Sequence, residues 1–333
     1  MVLRADDELR HPFSDDYHWR ESVYFNFNDV ENQIGGWIYY WVTPNREART
    51  GMLVSFYHGA NPRTDGGQAA LTSPDHVLRD GDNWLYFYNK DGEALEPANF
   101  DAVDFGGLKL SRLAPLKSYA LSFEDDVGNG FDLRGEFLTA PYDYADGVHP
   151  TPAFIALNRY HRAWKTKGEL RLAGRVYAVD CTGDSDHSWG TRDAPTFGSN
   201  LFKMWSFRTA DGRVMISVLK QGVGGVASGE TLALGFVSID GEMSSAANVE
   251  TSAEYDAAGV QSRIALRVTD ALGRTVTASL DRMHSYLGYG QAFWGFEGVG
   301  QYQVEGHGEA PGLVSYFWPE HVTGAMLRAG EVA

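Results

Sequence analysis

Apolar and polar residues alternate along this chain in short runs separated by turn-forming residues, and almost nowhere do they follow a 3.6-residue period. A period of two is the mark of strands whose side chains point to opposite faces. Aromatic and β-branched runs at 23–28, 52–58, 84–88 and 119–123 read as strands, as do 170–179, 201–208, 214–220, 231–239, 263–268 and 276–282. The pairs Asp91-Gly92, Asn129-Gly130, Asp211-Gly212 and Asp240-Gly241 supply the positive φ angles of tight hairpins. No strand–helix alternation and no fixed-period repeat appears, which excludes doubly wound, TIM-type, propeller and solenoid folds. The pattern predicts an all-β protein of many antiparallel strands in barrels or sandwiches.

At 333 residues the chain has room for two domains. Turn residues interrupt the strand rhythm between Pro141 and Pro152, so the expected division is 1–150 and 151–333. Charge narrows the partners. Aspartate and glutamate total 44 against 28 lysine and arginine, a formal charge of −16 that repels phosphate backbones and anionic membrane surfaces. The densest basic stretch, 159–167, interleaves aromatics as a nucleic-acid site would, but its alternation fits a half-exposed strand better. No nucleic-acid partner and no membrane span is expected. The acidic start lacks the basic head and apolar run of a signal peptide, and a single cysteine, Cys181, rules out an internal disulfide; both point to the cytoplasm.

Familiar catalytic signatures are missing: there is no Gly-x-Ser-x-Gly elbow, Walker loop or His-Glu-x-x-His pair. The glycine-rich stretch 288–300 lacks dinucleotide-loop spacing and fits strands that bend or approach closely. The ten histidines form no close ligand pair, and a metal site would need distant residues such as His58, His187 and His284 to converge. No metal and no cofactor is expected. The acidic segment 124–130 reads as a hairpin tip and Cys181 as packing. Aromatics are abundant, with 9 Trp, 17 Tyr and 18 Phe, and the runs 37–41 and 316–318 put rings on both faces of a strand. An aromatic-lined cavity for a hydrophobic small molecule follows as a hypothesis.

One run concentrates reactive groups: Asp184-Ser185-Asp186-His187-Ser188-Trp189-Gly190-Thr191-Arg192-Asp193. In a strand, His187 and Trp189 face one side while Asp186 and Ser188 face the other. A proton-transfer group beside an indole wall suits chemistry on an apolar, unsaturated molecule, because a dry site and a π face favour a cationic intermediate. The same residues also fit a polar cluster that ties strands together.

The segment 186–192, with the strand pair around 168–175, the opening His18-Trp19-Arg20-Glu21-Ser22 and the stretch 288–298, resembles the AttH-like and carotenoid 1,2-hydratase-like proteins. That resemblance implies two lipocalin-like β-domains packed together, the second carrying the Asp-His-Ser-Trp-Gly run under the expected division. It implies catalytic roles for Asp186, His187 and Trp189, and we read Arg192, Trp205, Tyr289 and Trp294 as substrate contacts. Where the carotenoid enzymes place a tyrosine and an aspartate on the following strands, this chain has Trp205, Phe207 and Asp211, which points to a different hydrophobic substrate. The expected activity is a cofactor-independent hydratase, dehydratase, cyclase or isomerase acting on an isoprenoid or phenolic molecule. The alternative is a carrier or sensor that binds a lipid-like molecule without changing it.

Overall fold

The computed structural model describes residues 3–46, 48–61, 75–80, 83–91, 100–193, 198–291 and 293–330. Its strands gather in two antiparallel sheets. At the centre of the first lie β1 (Trp19–Asp29), β2 (Ile34–Val42), β3 (Ala48–His58), β12 (Asn158–Leu172) and β13 (Arg175–Thr191). Beyond β3 come β6 (Asn83–Asp91) and β5 (Asp75–Asp80), and beyond β12 come β10 (Gly130–Phe137), β9 (Ser118–Glu124), β8 (Leu108–Ala114) and β7 (Ala102–Phe105). The short β11 (Tyr142–Asp143) pairs with β12. This sheet curls into a half-barrel around a core that includes Phe27, Phe56, Trp84, Phe131 and Trp164.

The second sheet holds β14 (Phe202–Arg208), β15 (Val214–Gly222), β16 (Thr231–Ile239), β17 (Glu242–Tyr255), β18 (Gln261–Asp270), β19 (Thr275–Leu280), β20 (Met283–Gln291), β21 (Phe293–Val304) and β22 (Gly308–Pro319). Pairing of β19 with β21 closes eight of these strands into a barrel. Trp205, Phe207, Tyr302, Tyr316 and Trp318 fill its interior, so it is a packed core and not a channel. The first half of the chain lends a two-residue strand, β4 (Ala60–Asn61), which pairs in parallel with β20. The all-β architecture with a barrel and a curled sheet is the one expected from alternation.

Local expectations hold where turn chemistry is strong. Asp240 and Gly241 both take positive φ (51° and 84°) in the two-residue turn between β16 and β17, and Gly212 (φ 71°) turns β14 into β15. At 124–130 the expected turn is present but the pair is not the one expected: Asn129 and Gly130 take no positive φ, which falls on Gly128 instead, because Asp125 Oδ1 accepts from the backbone N–H groups of Val127 and Asn129 and sets the turn one residue earlier. The pair Asp91-Gly92 lies partly outside the described residues. Glycines of the 288–300 stretch allow close strand approach: a Cβ on Gly295 would sit 1.9 Å from the Tyr316 carbonyl oxygen.

Three expectations are corrected. Residues 170–179 are not one strand, because Ala173 and Gly174 (φ 52° and 76°) form a tight turn between β12 and β13. The stretch 159–167 is a strand, but mostly buried and not half-exposed, since the second sheet covers its outer face. The change of sheet does not fall at 150. Strands β12 and β13 pair with β10 and β1, so the Asp-His-Ser-Trp-Gly run belongs to the first sheet, and the crossing to the second lies between Thr191 and Phe202. A cluster of turn residues marks a loop, and here that loop lies inside one sheet.

The sheets pack through outer faces. Ala163, Tyr142 and Tyr144 of the first meet Met204, Met215, Leu219, Phe236 and Leu313 of the second. This explains why 214–220 is nearly all apolar: alternate residues of β15 serve the barrel core and the contact between sheets. A polar tie crosses the same contact, where His161 Nε2 lies 3.1 Å from Asp184 Oδ1 and 3.2 Å from Ser217 Oγ.

Candidate active site

Alternation on β13 separates the expected catalytic residues as the strand period requires. His187 and Trp189 point into the half-barrel, whereas Asp186 and Ser188 point to its outer face. Gly190, at φ 119°, ends the run in a conformation that glycine adopts without strain.

On the inner face, His187 joins two residues that sequence reading did not single out. Its Nε2 is 2.9 Å from Glu21 Oε1, and its Nδ1 is 3.1 Å from the Tyr160 hydroxyl. The same Glu21 oxygen lies 2.7 Å from Nδ1 of His11, whose backbone N–H also donates to the carboxylate at 3.0 and 3.1 Å. Strand register explains the meeting: Glu21 pairs with Trp189 across β1 and β13, and Tyr160 pairs with His187 across β12 and β13. His11 arrives separately, on the segment before β1. That segment is pinned by Glu8, which is fully buried and accepts from Arg162 at 2.5 Å and from the Leu116 backbone N–H at 2.6 Å.

Burial opposes ionisation of Glu21, but hydrogen bonds from His11 and His187 outweigh it and hold the carboxyl below its ordinary range. Burial likewise pulls the His187 imidazole below its ordinary value, with Glu21 offsetting part of the effect. A neutral His187 that donates from Nε2 to Glu21 and accepts at Nδ1 from Tyr160 satisfies every partner. His11 differs in exposure, with 18% of its side chain reaching solvent against 2% for His187. Its ring stacks on Trp189 at a centroid distance of 3.8 Å and an interplanar angle of 7°. Nε2 of His11 is left without a hydrogen-bond partner among the described residues. An imidazole oriented at Nδ1 by a buried carboxylate, with Nε2 unpartnered among the described residues, is an arrangement for proton transfer. Donor atoms of His11, Glu21 and His187 lie within 4.8 Å of one another and form the candidate metal-holding set among the described residues. The 2.7 and 2.9 Å contacts are those of a hydrogen-bonded relay.

The seven residues expected at the site do not share one pocket. Asp186 is on the outer face, ion-paired with Arg159 at 3.0 Å. Arg192 lies on that face too and donates to Ser188 Oγ at 2.7 Å and Ser22 Oγ at 3.1 Å. Trp205 is sealed in the second barrel against Tyr316. Tyr289 is buried between the sheets against Trp37 and Phe317. Trp294 donates its indole N–H to the Val322 carbonyl at one end of the barrel. Of the expected catalytic group, His187 and Trp189 belong together, and His11, Glu21 and Tyr160 complete the cluster. Glu21 and Tyr160 were reachable in principle as inward positions on strands flanking β13, whereas His11 had no periodic signal at all.

Comparison with known proteins agrees with this fold. A family model described as a domain of unknown function, DUF7064, matches residues 4–288. No curated protein matches the sequence. Among solved structures, the AttH-like protein NE1406 from Nitrosomonas europaea is similar with a TM-score of 0.57 at 14% identity, over 93% of this chain and 94% of that one. CghA is similar with a TM-score of 0.54 at 10% identity, over 92% and 90% of the two chains. Kievitone hydratase from Nectria haematococca is similar with a TM-score of 0.51 at 12% identity, over 92% and 90%. No helix among the described residues is long and apolar enough to cross a membrane. The two-part β architecture is thus the AttH-like one, and the chain belongs to the DUF7064 family.

Proposed function

We propose that the protein is a cofactor-independent hydratase, dehydratase, cyclase or isomerase for a hydrophobic isoprenoid or phenolic substrate, with His11 as its proton-transfer residue. One observation carries this reading: Glu21 holds His11 at Nδ1 while the ring lies flat on Trp189. In the forward direction, protonated His11 gives the proton on Nε2 to an alkene carbon, water or an internal hydroxyl attacks the adjacent cationic carbon, and the proton that this oxygen then sheds returns to Nε2. The reverse sequence removes water. Glu21 stabilises the imidazolium through Nδ1–H, and the Trp189 face adds a cation–π term of about 0.5–2 kcal/mol. His187 and Tyr160 position Glu21. Trp189 therefore serves the imidazolium, since His11 covers one face of the indole. Asp186, bound to Arg159 on the other side of the sheet, is an anchor in this scheme. The name of kievitone hydratase, a protein of the same fold, supports a hydration reading.

The test is incubation of the protein in H₂¹⁸O with a panel of isoprenoid alkenes and prenylated phenols, with product mass read by mass spectrometry. The wild type is expected to incorporate ¹⁸O where it hydrates, to lose the mass of water where it dehydrates, and to shift chromatographic retention at constant mass where it cyclises or isomerises; His11→Ala and Glu21→Gln are expected to lose at least a hundredfold in rate. Tyr160→Phe is expected to lose less, because it acts through His187. Full turnover in His11→Ala would remove the proposal. Ligand binding with unchanged mass and unchanged chromatographic retention in every case would favour the carrier, because a cyclase or isomerase changes retention at constant mass.

A further inference from the structure

The outer face of the first sheet carries an unusual concentration of positive charge for a chain of formal charge −16. Three arginines surround Tyr39 and the Ser22–Ser188 pair. Arg20 lies over the rings of Tyr39 and Trp41, at 5.0 and 4.8 Å. The Tyr39 hydroxyl donates to Ser22 Oγ at 3.1 Å, and Arg192 donates to Ser22 and Ser188. Arg159, which pairs with Ser188 in register, binds Asp186 and lies over Tyr144. Among the described residues this makes three guanidinium groups to one carboxylate, because Arg20 and Arg192 form no ion pair.

Carboxylates are not scarce in this protein. Arg171 meets Glu124, Asp132 and Glu169, Arg274 meets Asp270 and Glu242, and Arg213 and Arg263 each have an acidic partner. Against that background, the two arginines without a carboxylate also have buried Nε atoms with no acceptor among the described residues, and so does Arg159. A buried guanidinium N–H without an acceptor leaves its desolvation uncompensated, which an incoming anion would relieve. The field of the cluster is visible on its neighbours. Burial would raise the Tyr39 phenol, yet Arg20 and Arg192 bring it below its ordinary value, and burial lowers Arg20 to about 10.

We propose that Arg20, Arg159 and Arg192 form a binding site for the carboxylate of an amphipathic ligand, whose apolar body lies along Tyr39 and Trp41. Guanidinium forks match a planar carboxylate, and their Nε–H and Nη–H groups supply the donors. Aromatic rings beside them favour an acid with a flat apolar body over a free inorganic anion. The site lies on the opposite face of β1 and β13 from His11, so it stands independently of the activity proposed above.

The experiment is calorimetric titration of the full chain with cinnamate, cinnamyl alcohol and inorganic phosphate. Cinnamate is expected to bind at least tenfold more tightly than the alcohol of the same body, and more weakly as salt rises. Arg20→Gln and Arg192→Gln are each expected to weaken cinnamate at least tenfold while leaving the alcohol unchanged. Arg20→Lys, which keeps the charge, is expected to recover part of the affinity and guards against a folding defect. Arg213→Gln, on a distant turn, is the control expected to bind as the wild type does. Equal binding of acid and alcohol, no binding of either, or an unchanged affinity in both glutamine variants would overturn the proposal. Phosphate that binds more tightly than cinnamate would overturn the carboxylate assignment. Binding is read without turnover, so loss of the reaction at His11 leaves this result untouched.

Discussion

At residue scale, the inner cluster and the contact between the sheets illustrate how burial sets the behaviour of a carboxyl group. Glu21 receives hydrogen bonds from two imidazoles and one backbone amide, and these outweigh desolvation. Glu297 shows the opposite balance. It lies on β21 near the phenols of Tyr24, Tyr57 and Tyr289, its Oε1 has no partner among the described residues, and burial pushes it up to about 7. Its folded value therefore lies above the ordinary 4.5. The folded state holds the extra proton, so its stability falls as pH rises from 4.5 to about 7 and stays lower above that. Linkage puts the effect on the order of 3 kcal/mol. Glu297→Gln is expected to gain stability over the wild type at pH 8 and little at pH 4.5, as read by urea denaturation at the two values. An equal gain at both would show that Glu297 is not protonated by burial.

At element scale, the segment before β1 is the piece that turns a strand pattern into a site. It has no helical or strand periodicity, yet Glu8 anchors it against Arg162 and Arg112 and thereby sets His11 on Trp189. Arg162 is almost wholly buried and stacks on Phe137, so loss of its anionic partner leaves a buried charge. Glu8→Gln is expected to cost about 3–5 kcal/mol in denaturant unfolding. It should also speed backbone amide exchange in residues 4–12 and lower activity through His11. An unchanged unfolding midpoint would mean that the segment contributes nothing to the fold. The turn at Ala173-Gly174 belongs to the same scale. Because it is short, β12 and β13 stay in register over their whole length, and Tyr160 is carried opposite His187.

For the whole molecule, the division of sheets decides which fragments survive. A chain ending at residue 150 lacks β12 and β13, the two central strands that join β1 to β10. Both neighbours would then expose unpaired edges and the aromatic core behind them. That fragment is expected to be insoluble. Chains 1–193 and 198–333 keep their own sheets and, co-expressed, are expected to reassociate through the Tyr142, Ala163, Met215 and Phe236 contact. Co-purification and circular dichroism check both outcomes, and a soluble, folded 1–150 chain would overturn the topology.

The sequence by itself determined what alternation and turn chemistry control: the all-β class, most strand positions, the hairpins at 211–212 and 240–241, and the opposite facing of His187 and Asp186. Those properties depend on neighbours within a few residues, which a linear reading sees. Tertiary structure alone decided which strands pair at long range, and hence that the Asp-His-Ser-Trp-Gly run lies in the first sheet. It also placed Trp205, Tyr289 and Trp294 at separate points, and brought His11 and Glu21 to His187 across more than 160 residues. Periodicity says which way a side chain points, but not what stands on the other side, because that depends on pairing and burial between distant segments.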